Sequence, residues 1–207
     1  MFAQMNIKEF VRQLSDGNPT PGGGSAAALA GAMGSALVAM FCNLTAGKKK
    51  YADVKEEMAA VAVFAQELQE QLLELVDRDS AAYDRIVAAN RLPRETEAER
   101  TSRLQAIDDA TLEATRTPLE TAAICVNLLE RIPPLAAKGN PNAISDLKVG
   151  TELLSTAFIG ARANVEINLP WLAEPVAAPI KAELAELSQR AERSVQSGRE
   201  EISRQMS

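Results

Sequence analysis

Residues 51–90 read "YADVKEEMAAVAVFAQELQEQLLELVDRDSAAYDRIVAAN". Val54, Met58, Val61, Ala65, Leu68, Leu72, Leu75, Asp79, Ala82, Ile86 and Ala89 follow one another at alternating steps of four and three. That step pattern keeps a single helical seam turned toward a neighbouring helix, as in bundle packing. Ten of the eleven positions are apolar, and the exception is Asp79. A carboxylate in such a seam is costly unless it is paired, hydrogen-bonded or open to a wet cavity. Arg78, Arg85 or a distant lysine could pair with it structurally. Its position in the seam favours the other reading, a functional carboxylate lining a cavity.

Ahead of this seam, residues 25–46 read "SAAALAGAMGSALVAMFCNLTA" and carry no charge. Gly23, Ala27, Gly31, Ser35 and Ala39 form a stripe of small residues, and Leu29, Met33, Leu37 and Phe41 form an apolar one. A helix apolar all round is either buried or in lipid. This one is built from Ala, Gly and Ser rather than Leu, Ile and Phe, which makes insertion marginal. A central helix whose small stripe admits a neighbouring backbone is expected, and no membrane span. Nearer the start, Asn6 can cap a short helix with Ile7, Phe10, Val11 and Leu14 on one face.

Beyond the seam, Pro93 ends the helix and Thr96 to Glu99 ("TEAE") form a capping box for the next one. Pro118 is expected to kink that helix. Breaks at "RIPPLAAKGNPN" and "LPWLAEP" separate a helix over 143–168 from a charged C-terminal helix. That last helix has Ile180, Leu184, Leu187 and Ala191 as its apolar side. No segment alternates as a strand does. The expected fold is all-α, an elongated bundle of long antiparallel helices in one domain, residues 1–207. Its surplus apolar surface predicts a homodimer.

The totals narrow the function. The 207 residues carry a net charge of -6, which disfavours nucleic acid as a partner. There is no histidine, and Cys42 and Cys125 stand far apart, so a metal site is not expected, nor is a His-dependent nucleophile. Those two cysteines read as buried, reduced thiols. The N-terminus lacks the pattern of a signal peptide, and a cytoplasmic location is expected.

Three further stretches could bear chemistry. Gly22-x-Gly24-x-x-Ala27 formally matches a dinucleotide fingerprint, but a strand should precede it, and no Gly-Lys-Ser/Thr follows as in a Walker loop. What survives is a loop feeding a helix N-terminus, where the N–H groups of Gly22, Gly23, Gly24 and Ser25 suit an anion or a carbonyl oxygen. "GKKKY" follows the small-residue helix, and Lys48 and Lys49 there can offset its dipole or bind an anion. In "KGNPNAISDLK", Ser145 reads first as a helix cap and Asp146 stays open to a role as a carboxylate.

"PGGGSAAALAGAMGSAL", "LTAGKKKY", "LVDRDSAAY", "RLP", "KGNPNAISDLKVG" and "ANVEINL" occur in that order. Together they resemble the cyclodeaminase/cyclohydrolase family of folate enzymes over nearly the whole chain. The resemblance implies an all-helical homodimer with a folate cleft near the dimer contact. It also implies hydrolysis of 5,10-methenyltetrahydrofolate to 10-formyltetrahydrofolate or, alternatively, cyclodeamination of formimidoyltetrahydrofolate. No cofactor, metal or nucleotide is implied, only a tetrahydrofolate derivative as substrate. On this reading Asp79 and Asp146 are the carboxylates, Lys48 or Lys49 the acid or the partner of folate carboxylates, and Gly22 to Ser25 the cradle. Asn164 and Asn168, one turn apart, would read pterin edges, with Ser145 beside Asp146. A stand-alone chain favours the cyclohydrolase. The alternative of another class is a non-enzymatic helical scaffold.

Overall fold

A computed structural model describes residues 1–206. Its helices are α1 (Ile7–Leu14), α2 (Gly23–Ala46), α3 (Lys55–Asn90), α4 (Glu97–Leu129), α5 (Ile132–Lys138), α6 (Ile144–Asn168) and α7 (Glu174–Met206), joined by short 3₁₀ turns. No strand occurs among the described residues. The seam of α3 is buried as its spacing demands: Met58, Ala65, Leu72 and Leu75 are almost wholly enclosed.

Helices α2, α3, α4 and α6 form an up-down-up-down bundle in which α2 touches α3 and α6, and α4 touches the same two. Hydrogen bonds show that α2 and α3 run antiparallel, Ser35 Oγ donating to the Ala65 carbonyl and Ser25 Oγ to that of Val76. The small residues of α2 admit their neighbours closely, side chains at Gly31 of the predicted stripe and a backbone at Gly34 beside it. A Cβ on Gly34 would lie 2.9 Å from the Gly150 carbonyl oxygen of α6, and one on Gly31 would lie 3.2 Å from both Leu72 and Cys125. Gly160 in turn packs on Ala27, so α6 runs antiparallel to α2 at close range. Helix α2 has the length and composition to cross a membrane, but 61% of its most apolar window is buried inside the protein.

Other expectations need correction or detail. The shared face of α1 is not a core face: Phe10 is buried, whereas Ile7 and Val11 are exposed, because this short helix lies at the surface. The 51–90 helix begins at Lys55, after a 3₁₀ turn. The capping box forms, with the Glu99 N–H donating to Thr96 Oγ1 and the Thr96 N–H to Glu99 Oε2. Helix α4 runs on through Pro118 without interruption. Ser145 does not cap α6, whose N-cap position is Ala143 and has no side-chain cap. Cys42 and Cys125 are free and buried, and burial pushes both thiols up to about 12.

Candidate functional site

One end of the bundle holds a cleft of about 660 Å³. Its walls follow from helical spacing. On α3, Asp79, Tyr83, Ile86 and Asn90 lie one below another at steps of four, three and four. On α4, Ile107, Thr111 and Ala114 do the same. Asn164, Ile167 and Asn168 close the α6 side, with Trp171 at the lip, and the loop from Pro19 to Gly24 supplies the remaining wall. Asp79 is the one charged residue lining it.

Asp79 is held by the start of α2. Ser25 Oγ lies 2.9 Å from Asp79 Oδ2, 3.0 Å from the Val76 carbonyl oxygen and 3.0 Å from Ser80 Oγ. The backbone N–H of Ser25 also favours the charged form of the Asp79 carboxylate. The seam carboxylate therefore sits beside the N-terminus of a neighbouring helix, where free N–H groups and the dipole favour negative charge. Burial still dominates and raises the Asp79 carboxyl above its ordinary range, while the Ser25 hydrogen bonds pull the other way. The alternative structural ion pair does not form among the described residues. Arg78 turns to Glu113 and Glu120 on α4 instead, because adjacent positions on a helix point to different faces.

Gly24 is required by this arrangement. A Cβ at that position would stand 2.0 Å from Asp79 Oδ1 and 2.6 Å from its Cγ. Gly23 and Gly22 line the cleft beside it. The glycine-rich stretch is thus the floor of a site. Part of its anion-binding capacity is taken by the protein's own Asp79.

Asn164 and Asn168 both reach the cleft, but their amide nitrogens are engaged. Asn164 Nδ2 donates to the Gly160 carbonyl and Asn168 Nδ2 to the Ala114 carbonyl. Ala114 stands four residues before Pro118, which has no N–H to give it. Asn168 supplies that missing donor and so fixes α6 against α4. Its role in the fold is structural, and only the amide oxygens of the two residues are left to meet a ligand.

Four of the predicted residues lie elsewhere. Lys48 and Lys49 follow the far end of α2, about 36 Å from Gly23 at 1.5 Å per residue. Ser145 and Asp146 open α6, some ~27 Å from Asn164 by the same rise. The two groups are neighbours at that end, because the Asn140 N–H donates to Thr45 Oγ1 at the close of α2. Within one chain they do not meet Asp79. Conversely, Tyr83, Ile86, Asn90, Ile107, Thr111 and Trp171 line the cleft and were not expected there as site residues. The spacing from Asp79 could have found Tyr83, Ile86 and Asn90, whereas the α4 residues and Trp171 need the tertiary fold.

An all-helical bundle with one half-buried carboxylate in a neutral, partly aromatic cleft defines a small-molecule site. Residues 6–186 match the family model described as formiminotransferase-cyclodeaminase, and the chain belongs to that family. A methenyltetrahydrofolate cyclohydrolase from Methylorubrum extorquens is 39% identical over 175 residues, covering 83% of each protein. The formimidoyltransferase-cyclodeaminase of Rattus norvegicus is 33% identical, over 83% of this chain but 32% of its own length. The crystal structure of formiminotetrahydrofolate cyclodeaminase from Thermotoga maritima matches with a TM-score of 0.89 and 27% identity, covering 98% of both chains.

Proposed function

We propose that this protein is a folate one-carbon enzyme that hydrolyses 5,10-methenyltetrahydrofolate to 10-formyltetrahydrofolate in the Asp79 cleft. The observation that carries the reading is Asp79 itself: a carboxylate raised by burial, oriented by Ser25, and alone in charge among neutral cleft residues. The methenyl substrate is an amidinium cation across N5 and N10, which an unpaired carboxylate attracts. Asp79 takes a proton as water adds to the bridging carbon. The tetrahedral adduct then forms a carbonyl, the bond from carbon to N5 breaks, and N5 is protonated. One proton is released overall. Trp171 and Ile86 present flat and apolar surface to the pterin, and the Asn164 and Asn168 oxygens face its N–H edges.

The cyclodeaminase reading uses the same carbon and the same carboxylate, with N10 as nucleophile and ammonia leaving. Similarity to a cyclohydrolase over 83% of both chains favours hydrolysis. No metal or cofactor enters this scheme, in which the single lining carboxylate and uncharged neighbours do the work. The working form is a homodimer. Exposed Met33 and Met40 on α2 and Ile159 and Ile167 on α6, two helices packed side by side, support that assembly, since clustered exposed apolar residues mark interaction surfaces.

Incubation with methenyl- and, separately, formimidoyl-tetrahydrofolate decides the chemistry by the methenyl absorbance. Loss from the first identifies the hydrolase and growth from the second the deaminase. No change with either refutes a folate enzyme and leaves a helical scaffold.

A further inference from the structure

None of the residues lining the cleft is Lys or Arg. A folate nonetheless ends in carboxylates, and basic residues lie just past the mouth. The turn between α3 and α4 carries Arg91, Arg94, Arg100 and Arg103. The last three, with Leu104, wall a separate hollow of about 180 Å³, large enough for a carboxylate. Two features join this hollow to the cleft. Arg103 Nη2 donates to the carbonyl and to Oδ1 of Asn90, both at 3.2 Å, and Asn90 lines the cleft. Ile107, one turn after Arg103 on α4, lines it as well.

Part of this basic cluster is occupied within the fold. Arg103 closes the C-terminus of α3, where a cation suits the dipole, but its Nη1 donates to nothing. Arg100 pairs with Glu97 and donates to the carbonyls of Arg94 and Glu95. Arg91 and Arg94 have no such duty. Both are exposed, and neither side chain meets a partner among the described residues. The carboxylates of the turn do not balance them. Glu97 is taken by Arg100 and Glu99 by the capping box, which leaves Glu95 against two free arginines. A planar guanidinium with unengaged N–H groups is the side chain best matched to carboxylate oxygens.

The separation along α3 fits the substrate. Asn90 stands eleven positions beyond Asp79 on that helix, about 16 Å away at 1.5 Å per residue. An extended folate runs about 13 Å from its bridging carbon, through N10 and the para ring, to the first glutamate's γ-carboxyl at ordinary bond lengths. With the pterin on the α6 side, the ring lies along Tyr83, Ile86 and Ile107. The first glutamyl unit then emerges level with Arg103. We infer that the α3–α4 turn binds the carboxylates of the substrate's glutamyl tail, the first at Arg103 and further γ-linked ones at Arg94 and Arg91. This deepens the folate reading above and rests on it for the identity of the anion. The same contacts set the direction of the bound substrate, tail outward at the turn and bridging carbon inward at Asp79.

Turnover of 5,10-methenyltetrahydrofolate is compared with one and with three glutamates on the tail. Wild type should show a KM about fivefold lower for the triglutamate, as two exposed ion pairs would give. That advantage should shrink as salt is raised. Arg91→Ala/Arg94→Ala removes two side chains without partners in the fold, so its circular dichroism should match wild type. Its KM for the triglutamate should rise about fivefold, to near the monoglutamate value, with the change falling on KM rather than kcat. Arg193→Ala, an exposed arginine of α7 that lines neither hollow, should alter neither constant. Equal KM values for the two substrates in wild type, or wild-type values in the double variant, overturn the inference and leave folate turnover standing. A wild type that turns over neither substrate overturns both readings. Calorimetric titration with p-aminobenzoyl-tri-γ-glutamate adds a readout free of turnover. Wild type should bind it about fivefold more tightly than the double variant. Binding that is absent from wild type, or equal in the two proteins, overturns the tail site.

Discussion

Asp79 meets the start of α2 rather than the cation that a structural ion pair would require, and that contact decides what its removal should do. Its amide isostere can still accept from Ser25 Oγ, so Asp79→Asn keeps that hydrogen bond while losing the charge. Burial raises the carboxyl, and its folded value therefore lies above the ordinary aspartate value of 3.8. In the window between those two values the folded state binds more protons than the unfolded one, so this group's contribution to stability falls as pH rises. Asp79→Asn should remove that slope and leave the melting temperature at neutral pH equal or higher, as scanning calorimetry would show. Turnover should drop by roughly 100- to 10,000-fold. In the wild type, turnover should rise with pH through the raised Asp79 value, since the base form acts. An unstable variant with full specific activity in its folded fraction would make Asp79 purely structural. Gly24→Ala probes the same contact from the other side. The new methyl collides with the carboxylate of a short side chain, so Asp79 must leave Ser25. A folded protein with turnover reduced at least as far as Asp79→Asn is expected, and wild-type kinetics would show that the carboxylate position is immaterial.

At the scale of helices, periodicity made most of the architecture legible. The four-three seam of α3, the small stripe of α2, the capping box of α4 and the apolar side of α7 are all where their spacing puts them. Those signals are local, and each reports which face of a helix is dry. What spacing could not report is which helix end a side chain reaches. Asn168 carries no local mark of its bond to Ala114, because the need arises from Pro118 fifty residues earlier. Trp171 and the α4 wall of the cleft were hidden for the same reason. Two predictions belong here. Asn168→Ala orphans the Ala114 carbonyl and should cost about 1–3 kcal/mol in urea unfolding. Gly34→Ala improves intrinsic helix propensity by about 1 kcal/mol, yet its methyl would press on the Gly150 carbonyl, which is backbone and cannot swing aside. Overpacking of this kind typically costs about 1–3 kcal/mol. A net loss of stability is expected, and a gain would mean that α2 and α6 can part without penalty.

For the whole molecule, the sequence placed every motif in order along the chain but said nothing of their separation in space. Seven of the predicted site residues gather at one end of the bundle and four at the other. The surplus apolar surface expected from the sequence lies on α2 and α6, where Met33, Met40, Ile159 and Ile167 form the exposed face that a homodimer would cover. A charge in the centre of that face separates assembly from folding. Met40 is 43% exposed and Met33 47%, so glutamate at either position stays hydrated in a lone chain and leaves the core untouched. Between two copies the same glutamates would be desolvated near their own images, at a cost of several kcal/mol for each unpaired charge. Met33→Glu/Met40→Glu should therefore fall from a dimeric mass to 22.2 kDa by light scattering while its helical circular dichroism persists. Asp79, Ser25 and the whole cleft are intact in that monomer. If every catalytic group came from one chain, turnover per chain would survive dissociation. Loss of turnover in a folded monomer, with recovery when protein concentration forces re-association, is the expected result. A monomeric variant as active as wild type would show that the homodimer is not the working form.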